Sequence, residues 1–222
     1  MIADAPLIAD QPVIGDNFVY FGNLFPHEPQ YLSGRFIGLA LVPRFDRDIP
    51  HDARACLPFA DNSVAGFQSQ DVFEHVEKDK IPGIFDDIYR CMRPGAVFRL
   101  SLPDYNSPLL RRRSAYDHQG NVLYDVAMGG ALKAAMSGGI ETVLPGGGDV
   151  HLWFPTYPEL LALIIASDIR HCREITFHHH WLTPHDYVMR DFDQSLMPVS
   201  RTPPRDMRAD GRPISIVVDF VK

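Results

Sequence analysis

The chain has 222 residues, 45% of them hydrophobic, and a formal net charge of −7. That is ample apolar material for one domain with a large core, and the acidic balance argues against a general nucleic-acid binder, because phosphate backbones are held by clustered Lys and Arg. Cys56, Cys91 and Cys172 are far apart and in no metal-like spacing, no apolar run approaches the ~20 residues of a membrane span, and the opening MIADAPLIAD lacks the basic start of a signal peptide; the expectation is a cytoplasmic protein with reduced thiols and no membrane partner.

Residues 1–16 contain Pro6 and Pro12, show no period, and read as an extended lead-in. NFVYFG at 17–22 reads as the first strand, with Gly22 where a dinucleotide-type fold begins its glycine-rich turn. Asn23, Leu24, Phe25 and Pro26 follow instead of further glycines, and Leu24 and Phe25 are bulky where a ligand needs close backbone approach. Only 12 residues separate Gly22 from Arg35, and Pro26 and Pro29 interrupt them. The first crossover helix is therefore expected to be shortened or replaced by a loop. RFIGLALV at 35–42 reads as the second strand.

Val64 to Phe67 is a short apolar run ending in the polar cluster Gln68 to Asp71, which suits a buried parallel strand whose carboxyl end faces a crevice. Ile81, Ile84, Phe85, Ile88, Tyr89 and Met92 mark one helix face. Pro94 and Gly95 are expected to stop that helix, and Ala96 to Leu102 to form the next strand, ending at Pro103 and Asp104. Strand, helix, strand is a βαβ unit, and the polar residues at both carboxyl ends put a site there. Asp61, Asn62 and Ser63 read as a side-chain-bonded turn. Glu74 and His75 are an acid–imidazole pair suited to general-base work on a hydroxyl or amine; the plainer reading is that they open a helix and fasten it to the sheet.

The segments LPFADNS, DVFEHV and YRCMRPGAVFRLSLPD, in that order, resemble the central half of the class I S-adenosylmethionine-dependent methyltransferases. The resemblance implies an α/β fold with a Rossmann-like sheet, mostly parallel with an antiparallel edge hairpin, in a single domain over 1–222. It also implies S-adenosylmethionine as cofactor, with Gly22 and Asn23 in the entry turn, Asp52 and Ala53 in the loop that meets the adenine, and Gln70 and Asp71 beside the sulfonium. Where the family places an acidic residue for the ribose hydroxyls, at the end of the second strand, this chain has Ala40. Asp46 and Asp48 lie beyond Pro43 and would substitute only if the loop folds back. The glycine-rich and ribose-binding motifs are thus degenerate, and Asp52 reads equally well as a turn cap.

Asp104, Tyr105 and Asn106 lie at the mouth of the expected crevice, with Asp104 a second candidate base after His75. Arg111, Arg112 and Arg113 read as a solvated face, or as a clamp for a carboxylate or phosphate. HQGNVLY at 118–124 suggests a hairpin, 128–136 a short helix, and Gly138, Gly139 and Gly146 to Gly148 a lid or linker. Thr156 and Glu159 have capping-box spacing at the head of a helix running toward Asp168. CREITFHHH at 172–180 and PISIVVDFV at 213–221 read as the last two strands, which the resemblance pairs antiparallel with the seventh inserted into the sheet.

Between them, 181–212 is a Pro/Arg-rich arm, expected to pack over the sheet's edge or against a second copy in a homodimer. His178 and His180 would share one face of a strand, with His185 and Asp186 following. That spacing is soft and lacks a thiolate, so neutral imidazoles in a wet interface explain it and no metal is expected. Two functions follow from the whole: a methyltransferase for a small-molecule or sugar-like acceptor, favoured by the motifs, or a non-catalytic relative that has lost the cofactor and serves as a binding or assembly module, favoured by Leu24, Phe25 and Ala40. Scaffold alone does not choose between them.

Overall fold

The computed structural model describes residues 16–129, 132–134, 140–142, 150–200 and 213–222. Strands β1 (Phe18–Phe21), β2 (Phe36–Ala40), β3 (Asp48–Pro50), β4 (Val64–Gln70) and β5 (Met92–Pro103) pair in parallel, in the spatial order β3-β2-β1-β4-β5. Helix α1 (Pro29–Leu32) is a single turn between β1 and β2, and α2 (Ile81–Cys91) is the crossover between β4 and β5. Past α3 (Pro108–Arg113) come the hairpin β6 (Ser114–Tyr116) and β7 (Val122–Asp125), the short pair β8 (Leu132–Ala134) and β9 (Ile140–Thr142), and α4 (Tyr157–Ile165). Strands β10 (Glu174–Thr183), β11 (Asp186–Met189) and β12 (Ser215–Val221) complete an eight-stranded sheet on the β5 side in the order β5-β12-β10-β11, all antiparallel. The last strand is therefore inserted between β5 and β10, as the resemblance implied.

Alternation along the strands builds the core. Val19, Phe21, Phe67, Phe98, Leu100, Ile216, Val218 and Phe220 share one face of the sheet and are buried against Ile81, Ile84, Phe85 and Ile88 of α2 and Leu160, Leu163 and Ile164 of α4. Helix α2 ends earlier than its sequence suggests. The chain leaves helical geometry at Met92, whose N–H still closes on the Ile88 carbonyl, and Pro94 and Gly95 fall inside β5, where the ladder to β4 shifts register between Val64↔Met92 and Gly66↔Val97. Gly95, at φ +82, takes up the irregularity.

The opposite face carries polar side chains: Gln68 and Gln70 from β4, Arg99 from β5 and Asp219 from β12. It is covered by irregular chain. After β11 extends the hairpin at the sheet edge, residues 190–200 turn back across this face as a strap. Phe192 stacks on His178, Arg99 donates to the carbonyls of Asp193 and Met197, and the Pro198 carbonyl accepts from Gln30 and Gln68. Met197 occupies the space that a side chain at Gly66 would need. The described part of the arm thus lies on its own sheet.

Two further expectations are corrected. The stretch 128–136 is no helix where it is described: Val126 to Met128 form a turn, Gly129 bridges to Asp125, and Leu132–Ala134 is a strand. Glycine at 129, with φ +70, supports the turn. The glycines at 138, 139 and 146–148 lie outside the described residues. His178 and His180 do not share a face, because a bulge between Phe177 and His179 breaks the alternation of β10. His178 and His179 both meet Phe192, whereas His180 stacks on Tyr157 of α4. Among the described residues no helix is long and apolar enough to cross a membrane.

Candidate active site

The strand order reverses between β1 and β4, and in an open parallel sheet the crevice beyond such a reversal is where ligands bind. Both strands leave the sheet there through left-handed backbone. Gly22 has φ +112 with its N–H on the Leu39 carbonyl at 2.8 Å, and Asp71 has φ +53 with its N–H on the Ser101 carbonyl at 3.0 Å. The two diverging turns floor a hollow of about 520 Å³, within the usual range of small-molecule sites. Gly22, Asn23, Asp52, Ala53 and Asp71 all line it, as does His75. Gln70 does not: its Oε1 accepts from the Ser200 N–H at 2.7 Å, and it lines a smaller neighbouring hollow with Tyr20, Phe25 and Glu28.

Leu24 and Phe25 leave the larger hollow open. Leu24 is fully buried on the other face of the sheet with Phe18, Tyr20 and Phe36, and Phe25 packs edge-on against Phe45. Asp48 explains the path of this turn. Its Oδ1 accepts the Leu24 N–H at 2.9 Å and its Oδ2 accepts the N–H groups of Arg44 and Phe45, which ties the entry turn to the loop after β2. Asp46 accepts from the Tyr31 hydroxyl. Neither acid lines the hollow, so its wall at the end of β2 consists of Ala40, Leu41, Val42 and Arg44.

Asp52 stands at the rim, where its carboxylate is gripped by Arg54 through Nη2 at 2.6 Å and Nε at 3.0 and 3.1 Å. The guanidinium holds that carboxyl below the usual carboxylate range. Arg54 reaches Glu77 as well, at 3.3 Å. Burial pushes the neighbouring His51 imidazole below its ordinary value, so it is neutral at pH 7.

His75 closes the far end of the hollow. It belongs to a short 3-10 turn, Phe73–His75, across which residues 150–153 are laid. Leu152 N–H donates to the Glu74 carbonyl at 2.7 Å, the Trp153 indole donates to the Phe73 carbonyl at 2.8 Å, and His75 Nδ1 lies 2.9 Å from the Val150 carbonyl oxygen. This brings His151 beside Glu74 and His75, with the two imidazole centroids 4.9 Å apart. His151 has no signal in the spacing, since its partners come from more than seventy positions earlier; only the fold assembles the group.

Leu152 also lines a second hollow, of about 420 Å³, whose walls include Tyr105, Tyr116, Phe154, Arg111 and the Lys78–Glu159 pair at 2.7 Å. Arg111 lies over the Tyr116 ring, 5.2 Å from its centroid. The arginine run is therefore divided: Arg111 faces this hollow, while Arg113 is bonded to buried Asp125 at 2.6 Å. Glu159 sits at its expected place in the first turn of α4, although its carboxylate takes the Thr156 hydroxyl and Lys78 in place of the reciprocal capping bonds.

Asp104 lines neither hollow. It is fully buried and accepts the Trp181 N–H at 2.7 Å and the Asn106 N–H at 2.9 Å, so it tethers β10 to the loop after β5. Burial pushes its carboxyl up to about 7. His178 bonds Asp219 at 3.0 Å, and His179 bonds Tyr187 at 2.8 Å. Each of these imidazoles is accounted for by its neighbours.

No family model matches the chain, and no curated protein matches it. Solved structures do. The chain is similar to an S-adenosylmethionine-dependent methyltransferase from Mesorhizobium loti, with TM-score 0.51 and 16% identity over 97% of this chain and 95% of that one. A SAM-dependent methyltransferase from Archaeoglobus fulgidus gives TM-score 0.51 and 12% identity over 94% and 86%. The 1,6-didemethyltoxoflavin-N1-methyltransferase of Burkholderia thailandensis gives TM-score 0.50 and 12% identity over 94% and 72%. At these identities the likeness is one of fold, and that fold is the class I S-adenosylmethionine-dependent methyltransferase fold.

Proposed function

We propose that the chain is an S-adenosylmethionine-dependent methyltransferase whose acceptor is a small molecule bound in the 420 Å³ hollow. The observation that carries this reading is the meeting of two hollows at Leu152, one at the strand reversal and one roofed by the segment after β5, with His75 beside the seam. Adenosylmethionine supplies a methyl group on a sulfonium, whose carbon–sulfur electron pair stays with sulfur when the acceptor takes the methyl.

The residues present fit such a ligand on two counts. The turn at Gly22 brings backbone to the hollow, and Asn23, Asp52 and Asp71 offer polar groups beside the apolar stretch Leu39 to Val42. What the chain's own residues do is align and deprotonate: Leu152 keeps the acceptor in register with the first hollow, and the imidazole end of the seam, at His75, receives the proton that leaves the acceptor's hydroxyl or amine. Arg111 and Lys78, set among Tyr105, Tyr116 and Phe154, favour an acceptor that carries an aromatic or sugar-like ring and a carboxylate or phosphate. The absence of an acid at Ala40 and the grip of Arg54 on Asp52 favour weak cofactor binding, and in the limit a binding module without activity.

Isothermal titration with adenosylhomocysteine tests the reading. Saturable binding is expected, and Asp52→Ala should weaken it about tenfold or more, the worth of one charge-assisted hydrogen bond. No heat and no thermal shift at millimolar ligand would leave the binding-module reading in its place.

A further inference from the structure

Glu74, His75 and His151 each direct one ligand atom into a common space, all within 4.8 Å of one another. Glu74 Oε1 lies 3.8 Å from His151 Nε2 and 3.9 Å from His75 Nε2. The carboxylate is fully buried, His151 is nearly so, and His75 is the one member open to the larger hollow.

The opposite nitrogens of both rings are fixed from outside. A carbonyl oxygen only accepts, so His75 Nδ1, 2.9 Å from Val150 O, carries the hydrogen. The Tyr105 hydroxyl donates to Asp125 Oδ2 at 2.9 Å and thus accepts from His151 Nδ1–H at 2.6 Å. Asp125 is held in turn by Arg113. With Nδ1 a donor in both rings, the two Nε2 atoms converge on one carboxylate oxygen. This is the arrangement that orients imidazole ligands around a cation: a carbonyl behind one ring, and a hydroxyl–carboxylate relay behind the other.

We propose that Glu74, His75 and His151 bind a divalent first-row transition metal of the zinc or ferrous-iron kind. Two imidazoles and a carboxylate suit those ions, whereas magnesium and calcium take oxygen donors. Donors at about 2.1 Å from a common ion stand about 3 to 3.5 Å apart, so on binding the Glu74–His separations of 3.8 and 3.9 Å close by under an ångström and the widest separation, up to 4.8 Å, by somewhat more than one, a movement of side-chain rotation. His75 and Leu152 both line the larger hollow, so the group lies beside the seam. The binding site depends only on this geometry; its chemical role rests on the transferase reading. There, a bound ion would lower the pKa of an acceptor hydroxyl and His75 would serve as the ion's ligand, so that the role of base for His75 belongs to the metal-free protein.

The test uses the full-length chain, dialysed against chelator and titrated with Zn²⁺ and with Co²⁺, Mg²⁺ serving as control. One equivalent of Zn²⁺ or Co²⁺ is expected, with visible Co²⁺ absorption and weak or no Mg²⁺ binding. Glu74→Gln and His75→Ala should each lower affinity at least tenfold. Tyr105→Phe, which removes the acceptor of His151 Nδ1–H but touches no ion, should lower it by about 10- to 100-fold. Cys56→Ser, which removes the exposed thiol, should leave it unchanged. No stoichiometric binding, or binding that survives both Glu74→Gln and His75→Ala, overturns the proposal. Adenosylhomocysteine is titrated separately into the same samples: its binding without the metal fells the metal site alone, and metal binding without it fells the transferase reading alone.

Discussion

Replacing Arg99 by Met tests the account of how this sheet is held together on its polar face. Arg99 is 5% exposed and makes two charge-assisted bonds to Asp219, Nε to Oδ1 at 2.7 Å and Nη2 to Oδ2 at 2.6 Å. Its Nη1 donates to the carbonyls of Asp193 and Met197, and its guanidinium carbon lies 4.6 Å from the Phe192 ring centroid. Met fills much of the same volume but leaves the Asp219 carboxylate facing His178 alone. Breaking a buried pair from one side costs about 3–5 kcal/mol, and two carbonyls losing a donor add roughly 1 kcal/mol. For a chain of this size the expected fall in Tm is roughly 10–20 °C. Urea and thermal unfolding followed by circular dichroism measure it, and limited proteolysis should find new cleavage within 190–200. The double variant R99M/D219L, which removes both charges, should be more stable than R99M alone. A loss below about 1 kcal/mol for R99M, or a double variant worse than either single one, would refute the claim that the strap is pinned through this pair.

Two more outcomes follow from the geometry. Asp104 keeps its proton up to about pH 7 in the folded chain, while an unfolded Asp loses it near 4, so the wild type should lose stability as pH rises through that window. Asp104→Asn has no such titration, and urea unfolding from pH 5 to 8 should show the difference between variant and wild type moving by roughly 2–3 kcal/mol in the variant's favour; a constant difference would mean that the two N–H donors keep the carboxylate ionised throughout. Gly22→Ala must place a side chain at φ +112, and it should lower adenosylhomocysteine affinity about tenfold by straining the turn at roughly 1–2 kcal/mol, with an unchanged affinity removing that turn from the site.

The frame of the fold was legible wherever apolar alternation and chain punctuation agree. NFVYFG, RFIGLALV and PISIVVDFV became strands, and the crossover from β1 shrank to one turn, as the prolines at 26 and 29 require. Interactions between distant parts were not legible. The path of residues 190–200 is set by Arg99, Gln68 and Gln30, and the only trace in the sequence is the presence of polar side chains inside otherwise apolar strands. The end of α2 was misplaced because Pro94 and Gly95 look like a stop signal and instead serve a strand irregularity. The bulge in β10 reversed the facing of His180, which periodicity of two cannot foresee. Gly22, Asn23, Asp52, Ala53 and Asp71 line one hollow because each follows a strand's carboxyl end. Asp104 has the same kind of position but turns into the protein, and His151 carried no mark at all.

The strap and the inserted strand impose an order on self-assembly. Pro198 meets Gln68 and Gln30 across 130 and 168 positions, and Asp219 meets Arg99 across 120. Until the distant strand β12 docks, the flank of β5 lacks its partner, and the expectation is that this edge is open to wrong pairing during folding. Loop-closure entropy makes that docking slow. Refolding yield should thus fall with protein concentration more steeply than final stability would suggest, and a chaperone that shields strand edges would act on this chain during the interval before β12 docks.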